Sequence, residues 1–185
     1  LTFGNQLRDE TAEELMTIAY DAVVNFFDNA EGYAGGKSEI VMGNILKKKG
    51  WDRESYLVSS KVFFGAEPKG PNRTGLSRKH VIEACNAALK RFQLDYLDMY
   101  FCHRPDRTTP IEETVWAMNT LLQQGKILYW GTSEWSASEI MDAIRVAKEN
   151  HLIGPTMEQP QYNMLEREKV DNDYFLLFKD HGLGT

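Results

Sequence analysis

Residues 25–33 read Asn25-Phe26-Phe27-Asp28-Asn29-Ala30-Glu31-Gly32-Tyr33. An apolar run ends in a carboxylate, a turn containing Asn29 and Gly32 follows, and a tyrosine closes the stretch. A buried strand delivers polar groups to the mouth of a parallel α/β fold in this way. The ordinary alternative is that Asp28 caps the next turn and Tyr33 packs against a neighbour. How the other strands end decides between the two.

Ahead of this stretch, Leu15, Ile18, Ala19, Ala22 and Val23 recur at helical spacing, with Glu10, Glu13 and Glu14 opposite. The pattern predicts a helix over Glu10–Val24 capped by Asp9 or Thr11, and then a strand over Asn25–Asp28. After it, Ile40, Val41, Ile45 and Leu46 predict an inward helical face over Lys37–Lys49, ended by Gly50. Tyr56–Val62 reads as a strand, 63–74 as a Gly/Pro loop, and Ser77–Phe92 as a helix capped by Ser77. Leu97–His103, Ile127–Ser133 and Thr156–Tyr162 read as strands, the last irregular because of Pro160. Pro110–Gln124, Ser136–Asn150 and Glu166–His181 read as helices. The closing Gly182–Thr185 reads as the start of a further strand, and Leu1-Thr2-Phe3-Gly4 as the end of an interrupted element.

Strands alternating with helices imply parallel pairing through right-handed crossovers. A (β/α)8 barrel and an open doubly wound sheet both fit this order. The absence of G-x-G-x-x-G and P-loop patterns weakens the second. The 185 residues are expected to form a single domain. A complete barrel takes about 250 residues, so the chain covers roughly two thirds of one.

The strands share a polar terminus. The first ends in Asp28 with Tyr33 just beyond, the second near Lys61, the third in His103, the fourth in Ser133 and the fifth near Gln159. That carboxyl end is where parallel α/β folds build active sites. A phenol is a weak acid, and a nearby ammonium favours its ionisation, a role for Lys61 with Asp28 as counter-ion. His103 can hydrogen-bond a carbonyl or share its proton, leaving Tyr33 as a general acid. None of these side chains donates hydride, so a reduction requires a cofactor. Ser133 and Gln159 offer hydroxyl and amide groups suited to a nicotinamide carboxamide.

Composition narrows the alternatives. A net charge of -6 with scattered basic residues argues against nucleic acid as a partner. Cys85 and Cys102 lack metal-ligand spacing, as do the 4 histidines, so no metal is expected. Two reduced cysteines fit a reducing, cytoplasmic compartment. There is no G-x-S-x-G elbow for a serine hydrolase.

The stretches FFDNAEGYAGGKSEIVMGNILKKKGW, SSKVFFG, GLSRKH, CHRPDRTTPIEETVWAM, YWGTSEWSASEI and MEQPQYNMLEREKV give the chain a specific likeness. It resembles the aldo-keto reductases, most closely the branch related to β subunits of voltage-gated potassium channels. The resemblance implies a (β/α)8 barrel, here without its first strand and its last two strand–helix units. It implies NADPH-dependent reduction of a small-molecule aldehyde or ketone, with Tyr33, Lys61, Asp28 and His103 as catalytic tetrad. Gln6, Asp28, Ser133, Glu134 and Gln159 fall on cofactor positions, and Phe64 falls beside the substrate pocket. Glu134 stands where other members carry asparagine or arginine; a carboxylate there repels phosphate but can accept from a carboxamide. His103 stands where channel subunits often carry asparagine, which favours an enzyme. The same resemblance implies a homo-tetramer and, as the alternative function, a slowly turning redox-sensing subunit of a membrane channel.

Overall fold

Four of the five apolar runs pair side by side in chain order. In a computed structural model that describes residues 3–185, β1 (Phe26–Asp28), β2 (Leu57–Val62), β3 (Leu97–Cys102) and β4 (Ile127–Thr132) form one parallel sheet ordered β1-β2-β3-β4. The opening at Leu1 and Thr2 lies outside the described residues. A doubly wound sheet reverses its strand order at a switch point; this sheet does not, so it follows the wall of a β/α barrel.

The crossovers are α2 (Lys37–Lys49), α3 (Arg78–Phe92) and α4 (Ile111–Gln123), with α1 (Asp9–Asp21) ahead of β1 and α5 (Ala137–Glu149) after β4. Three of them are bounded by clear local signals. Gly50 takes a left-handed φ of 60° beyond α2. The Ser77 hydroxyl accepts from the amide of His80 to start α3. Ser136 and Glu139 form a reciprocal capping box on α5. In contrast to expectation, neither Asp9 nor Thr11 caps α1: Arg8 stands at the cap without a side-chain bond, and Asp9 lies in the first turn.

Alternation along the strands divides the sheet. Val58, Ser60, Val62, Tyr100, Cys102 and Trp130 are at most 1% exposed. The apolar members among them cluster with Val81, Ala88, Val115, Met118 and Ile140 of the helices. The opposite face carries Asp28 in register with Ser59, and a row of Lys61, Phe101 and Gly131. Ile40, expected inward, is 43% exposed.

The last third departs most from expectation. Instead of a strand over Thr156–Tyr162 there are two isolated bridges, Thr132 with Glu158 and Met157 with Gly184. Pro160 has no amide to give, and the amide of Gln161 goes to the Glu134 carboxylate, so no ladder can extend. Instead of one helix over Glu166–His181 there is a π-helical turn, Lys169–Asp173, and then α6 (Phe175–His181). Asp171-Asn172-Asp173 are poor helix formers, and Asp171 is drawn aside by Tyr162 and Arg167. Among the described residues, no helix is long and apolar enough to cross a membrane.

Candidate active site

Ladder bonds between β1 and β2 continue past Asp28. The amide of Asn29 donates to Ser59 O at 3.1 Å and that of Glu31 to Lys61 O at 3.1 Å. This register sets Asp28 beside Lys61. The Lys61 side chain is only 1% exposed, and its ammonium pairs with the Asp28 carboxylate. It also donates to Asn29 O at 2.7 Å, while Ser59 Oγ donates to the other Asp28 oxygen at 2.5 Å. Burial pushes the Lys61 pKa down, against the pull of Asp28.

Tyr33 opens a 3-10 turn, Tyr33–Gly36, in which Ala34 and Gly35 have φ of 50° and 67°. That left-handed turn folds the phenol back over the strand ends. The Lys61 ammonium lies 5.1 Å from the centroid of its ring, and the His103 ring stands edge-on at 5.8 Å. The expected lowering of the phenol by Lys61 is reversed: its pKa is raised, first by burial and then by Asp28, with Arg104 pulling the other way. Asp28 neutralises the nearby ammonium, so burial of the phenol prevails.

His103 follows β3, its amide bonded to Val62 O at 3.0 Å. Burial, and then Lys61 and Arg104, lower its pKa from 6.5 to about 4, so the imidazole is neutral at ordinary pH. Its Nδ1 is buried and has no hydrogen-bond partner among the described residues. Phe64 stands edge-on to the same ring at 5.0 Å. Asp28, Tyr33, Lys61 and His103, far apart in sequence, therefore meet at one rim.

The other expected site residues differ in what they are free to do. Ser133 Oγ donates to Gln159 O at 2.8 Å, joining β4 to the bridge segment. The Gln159 side chain makes no hydrogen bond among the described residues. Both carboxylate oxygens of Glu134 are engaged, one by the amide of Gln161 and one by Lys169 Nζ at 2.6 Å. Glu134 thus fastens the segment after β4. Gln6 is exposed on a turn that abuts the start of α2, where a Cβ on Gly4 would lie 2.8 Å from Lys37 Cβ. Gln6 has no described hydrogen bond to the cluster.

The sequence profile of the aldo/keto reductase family matches residues 1–185. The chain belongs to the aldo/keto reductase family. It is 50% identical over 184 residues to a protein of Oryza sativa subsp. japonica named "Probable voltage-gated potassium channel subunit beta". It is 49% identical over 184 residues to a protein of the same name from Arabidopsis thaliana. Each match takes in 100% of this chain and 56% of the relative, so the chain spans little more than half their length.

Three residues of this aldo/keto reductase chain escape the sequence reading. Arg104 directly follows His103, and its guanidinium donates to His103 O at 2.5 Å and reaches Ser133 Oγ at 3.5 Å. Adjacency to His103 was its only sequence signal. Ser59, bonded to Asp28, lies on the same strand face as Lys61 two positions on. Glu31 lies in the opening stretch itself, yet nothing in its spacing distinguishes it from a solvated turn carboxylate; it is 2% exposed. For a nicotinamide carboxamide, the Gln159 side-chain amide, without a hydrogen bond among the described residues, offers both a donor and an acceptor beside the strand ends.

Proposed function

We propose that the protein reduces aldehydes or ketones to alcohols with NADPH, through Asp28, Tyr33, Lys61 and His103. The observation that carries the reading is their convergence. A buried ammonium paired to Asp28 lies 5.1 Å from the ring of Tyr33, which faces a neutral His103. A bound nicotinamide would supply hydride to the carbonyl carbon. Tyr33, kept protonated by its raised pKa, holds the proton for the carbonyl oxygen. His103, neutral, orients that oxygen as a hydrogen-bond partner. The Lys61–Asp28 pair offers the phenolate a cation once the proton has gone. Asp28, Ser133 and Gln159 would hold the carboxamide end, and Gln6 would reach the cofactor from the first turn. Glu134 acts in this reading by fixing the segment that carries Gln159. A cytoplasmic, single-domain protein assembling as a homo-tetramer fits the same reading.

The test is oxidation of NADPH by the full natural protein with a reactive aldehyde. Tyr33→Phe is expected to lower kcat by about 100-fold or more, the usual scale for losing a general acid. An unchanged rate refutes the assignment.

A second reading has its own support, the names of the two plant relatives. In it the protein binds NADPH and reports redox state to a potassium channel, with slow or no turnover. Co-purification of a membrane channel, together with negligible turnover and tight cofactor binding, favours this reading over the first.

A further inference from the structure

Glu31 lies three residues beyond Asp28 and takes no part in the proposed proton transfer. Its side chain is only 3% exposed. One oxygen, Oε1, accepts from the amide of Phe63 at 2.7 Å and the amide of Gly65 at 2.8 Å, and contacts His80 Nε2 at 3.2 Å. Burial alone would push this carboxyl up, but His80 and the two amides hold it below its ordinary 4.5, so it stays ionised.

The two amides flank Phe64, and the rest of that turn is held as well. Gly75 N donates to Phe63 O at 2.7 Å, and Lys69 Nζ donates to Phe64 O and Gly65 O at 2.7 Å each. Gly32 is closely covered, since a Cβ there would lie 3.3 Å from Phe64 Cβ. Gly65, with φ of +74°, has Arg73 O where a Cβ would sit, at 2.2 Å. The outcome is a loop phenylalanine whose ring meets His103 at 5.0 Å and Arg104 at 5.9 Å, yet remains 44% exposed. A solvent-facing aromatic with its backbone anchored on both sides to a buried charge is shaped to receive something apolar.

We propose that Glu31 and His80 are positioning residues that fix Phe64 as the apolar wall beside His103, and so set affinity for carbonyl compounds bearing an aromatic or other apolar group. The inference rests on the reductase reading and deepens it. Glu31 and His80 act through Phe64 and do not touch the substrate. Losing the charged acceptor loosens the turn, which weakens the grip on a hydrocarbon group more than it slows the chemical step.

The experiment uses the full natural protein and its Glu31→Gln and His80→Leu variants, with His80→Gln retaining a hydrogen-bonding group. Two readouts are taken: KM and kcat for 4-nitrobenzaldehyde and for acetaldehyde, and hydrogen exchange at residues 63–65. Glu31→Gln is expected to raise KM for the aromatic aldehyde about tenfold, with much smaller changes in kcat and in KM for acetaldehyde. Exchange at 63 and 65 is expected to quicken about tenfold, while β2 stays protected. His80→Leu follows in the same direction, and His80→Gln recovers most of the loss. Equal KM changes for the two aldehydes, or unchanged exchange at 63–65, overturn the proposal. If wild-type protein turns over neither aldehyde, the reductase reading fails; exchange then decides the hold on Phe64, faster exchange upholding it and unchanged exchange overturning it.

Discussion

Replacing Asp28 by asparagine strips a buried ammonium of its counter-ion. Lys61 would keep only Asn29 O, at 2.7 Å, as a described backbone acceptor, with its side chain 1% exposed. Breaking a buried pair from one side costs about 3–5 kcal/mol. Lysine can instead shed its proton, which near pH 7 costs about 5 kcal/mol from an ordinary pKa and caps the loss. The Asp28 side chain is 32% exposed, so water already screens the pair, and the expected loss is about 2–4 kcal/mol. The sign of the pH dependence follows from the direction of the shift. The folded pKa of Lys61 is lowered, so between it and the unfolded value the unfolded chain binds more protons and stability rises with pH. Asp28→Asn widens that window downward, so its deficit is largest near neutrality and shrinks towards the ordinary lysine pKa. Urea unfolding at several pH values measures both effects. Adding Lys61→Met should recover most of the stability, because a methionine needs no partner. An Asp28→Asn midpoint equal to wild type and flat with pH would refute the account of Lys61 as a buried charge.

Other outcomes follow from the same geometry. The His103 imidazole should titrate near 4 by NMR, and His103→Asn should flatten the loss of stability as pH falls from 6.5 towards 4; a titration near 6.5 sinks this. Glu158, 1% exposed, has its pKa raised by burial from 4.5 to about 7. The native state therefore keeps a proton that the unfolded chain releases. Its contribution is full below 4.5 and is lost as pH rises through 7. Glu158→Gln should remove that slope from the urea midpoints, and an unaltered slope counts against it. Gly43→Ala would set a Cβ 2.5 Å from Phe92 O, a backbone atom with little room to move. A loss of about 3 kcal/mol is expected by thermal unfolding.

Much of this architecture is written locally in the chain. The helix Lys37–Lys49 carries both its period and its glycine stop, and Ser77 announces the start of α3. Right-handed crossovers turn that element order into strand order, so the sheet needs no further information. The placement of Asp28, Lys61 and His103 at one end follows from strand length alone. What escapes is settled by partners distant in sequence. The amide of Gln161 is diverted by Glu134, and Asp171 is taken by Arg167 and Tyr162, which undoes the regular elements expected from 156 to 181. The upward shift of Tyr33 depends on how deeply its ring is covered, which no spacing encodes. Nothing in its spacing sets Glu31 apart from a solvated carboxylate until His80 is brought beside it.

Asp28 and Lys61 ride directly on adjoining strands, and His103 follows at once, so the gaps between them derive from the spacing of the sheet, about 4.8 Å from strand to strand. Such intervals change only by a slip in register, which would turn every alternate side chain to the wrong face. The connections that leave the same rim, from residue 63 to 76 and from 104 to 110, are bound by no such rule. Insertions or exchanges in them can reshape what the mouth admits while the reacting groups keep their separations. Selection for new small molecules can therefore work on the loops and leave the underlying instrument in tune.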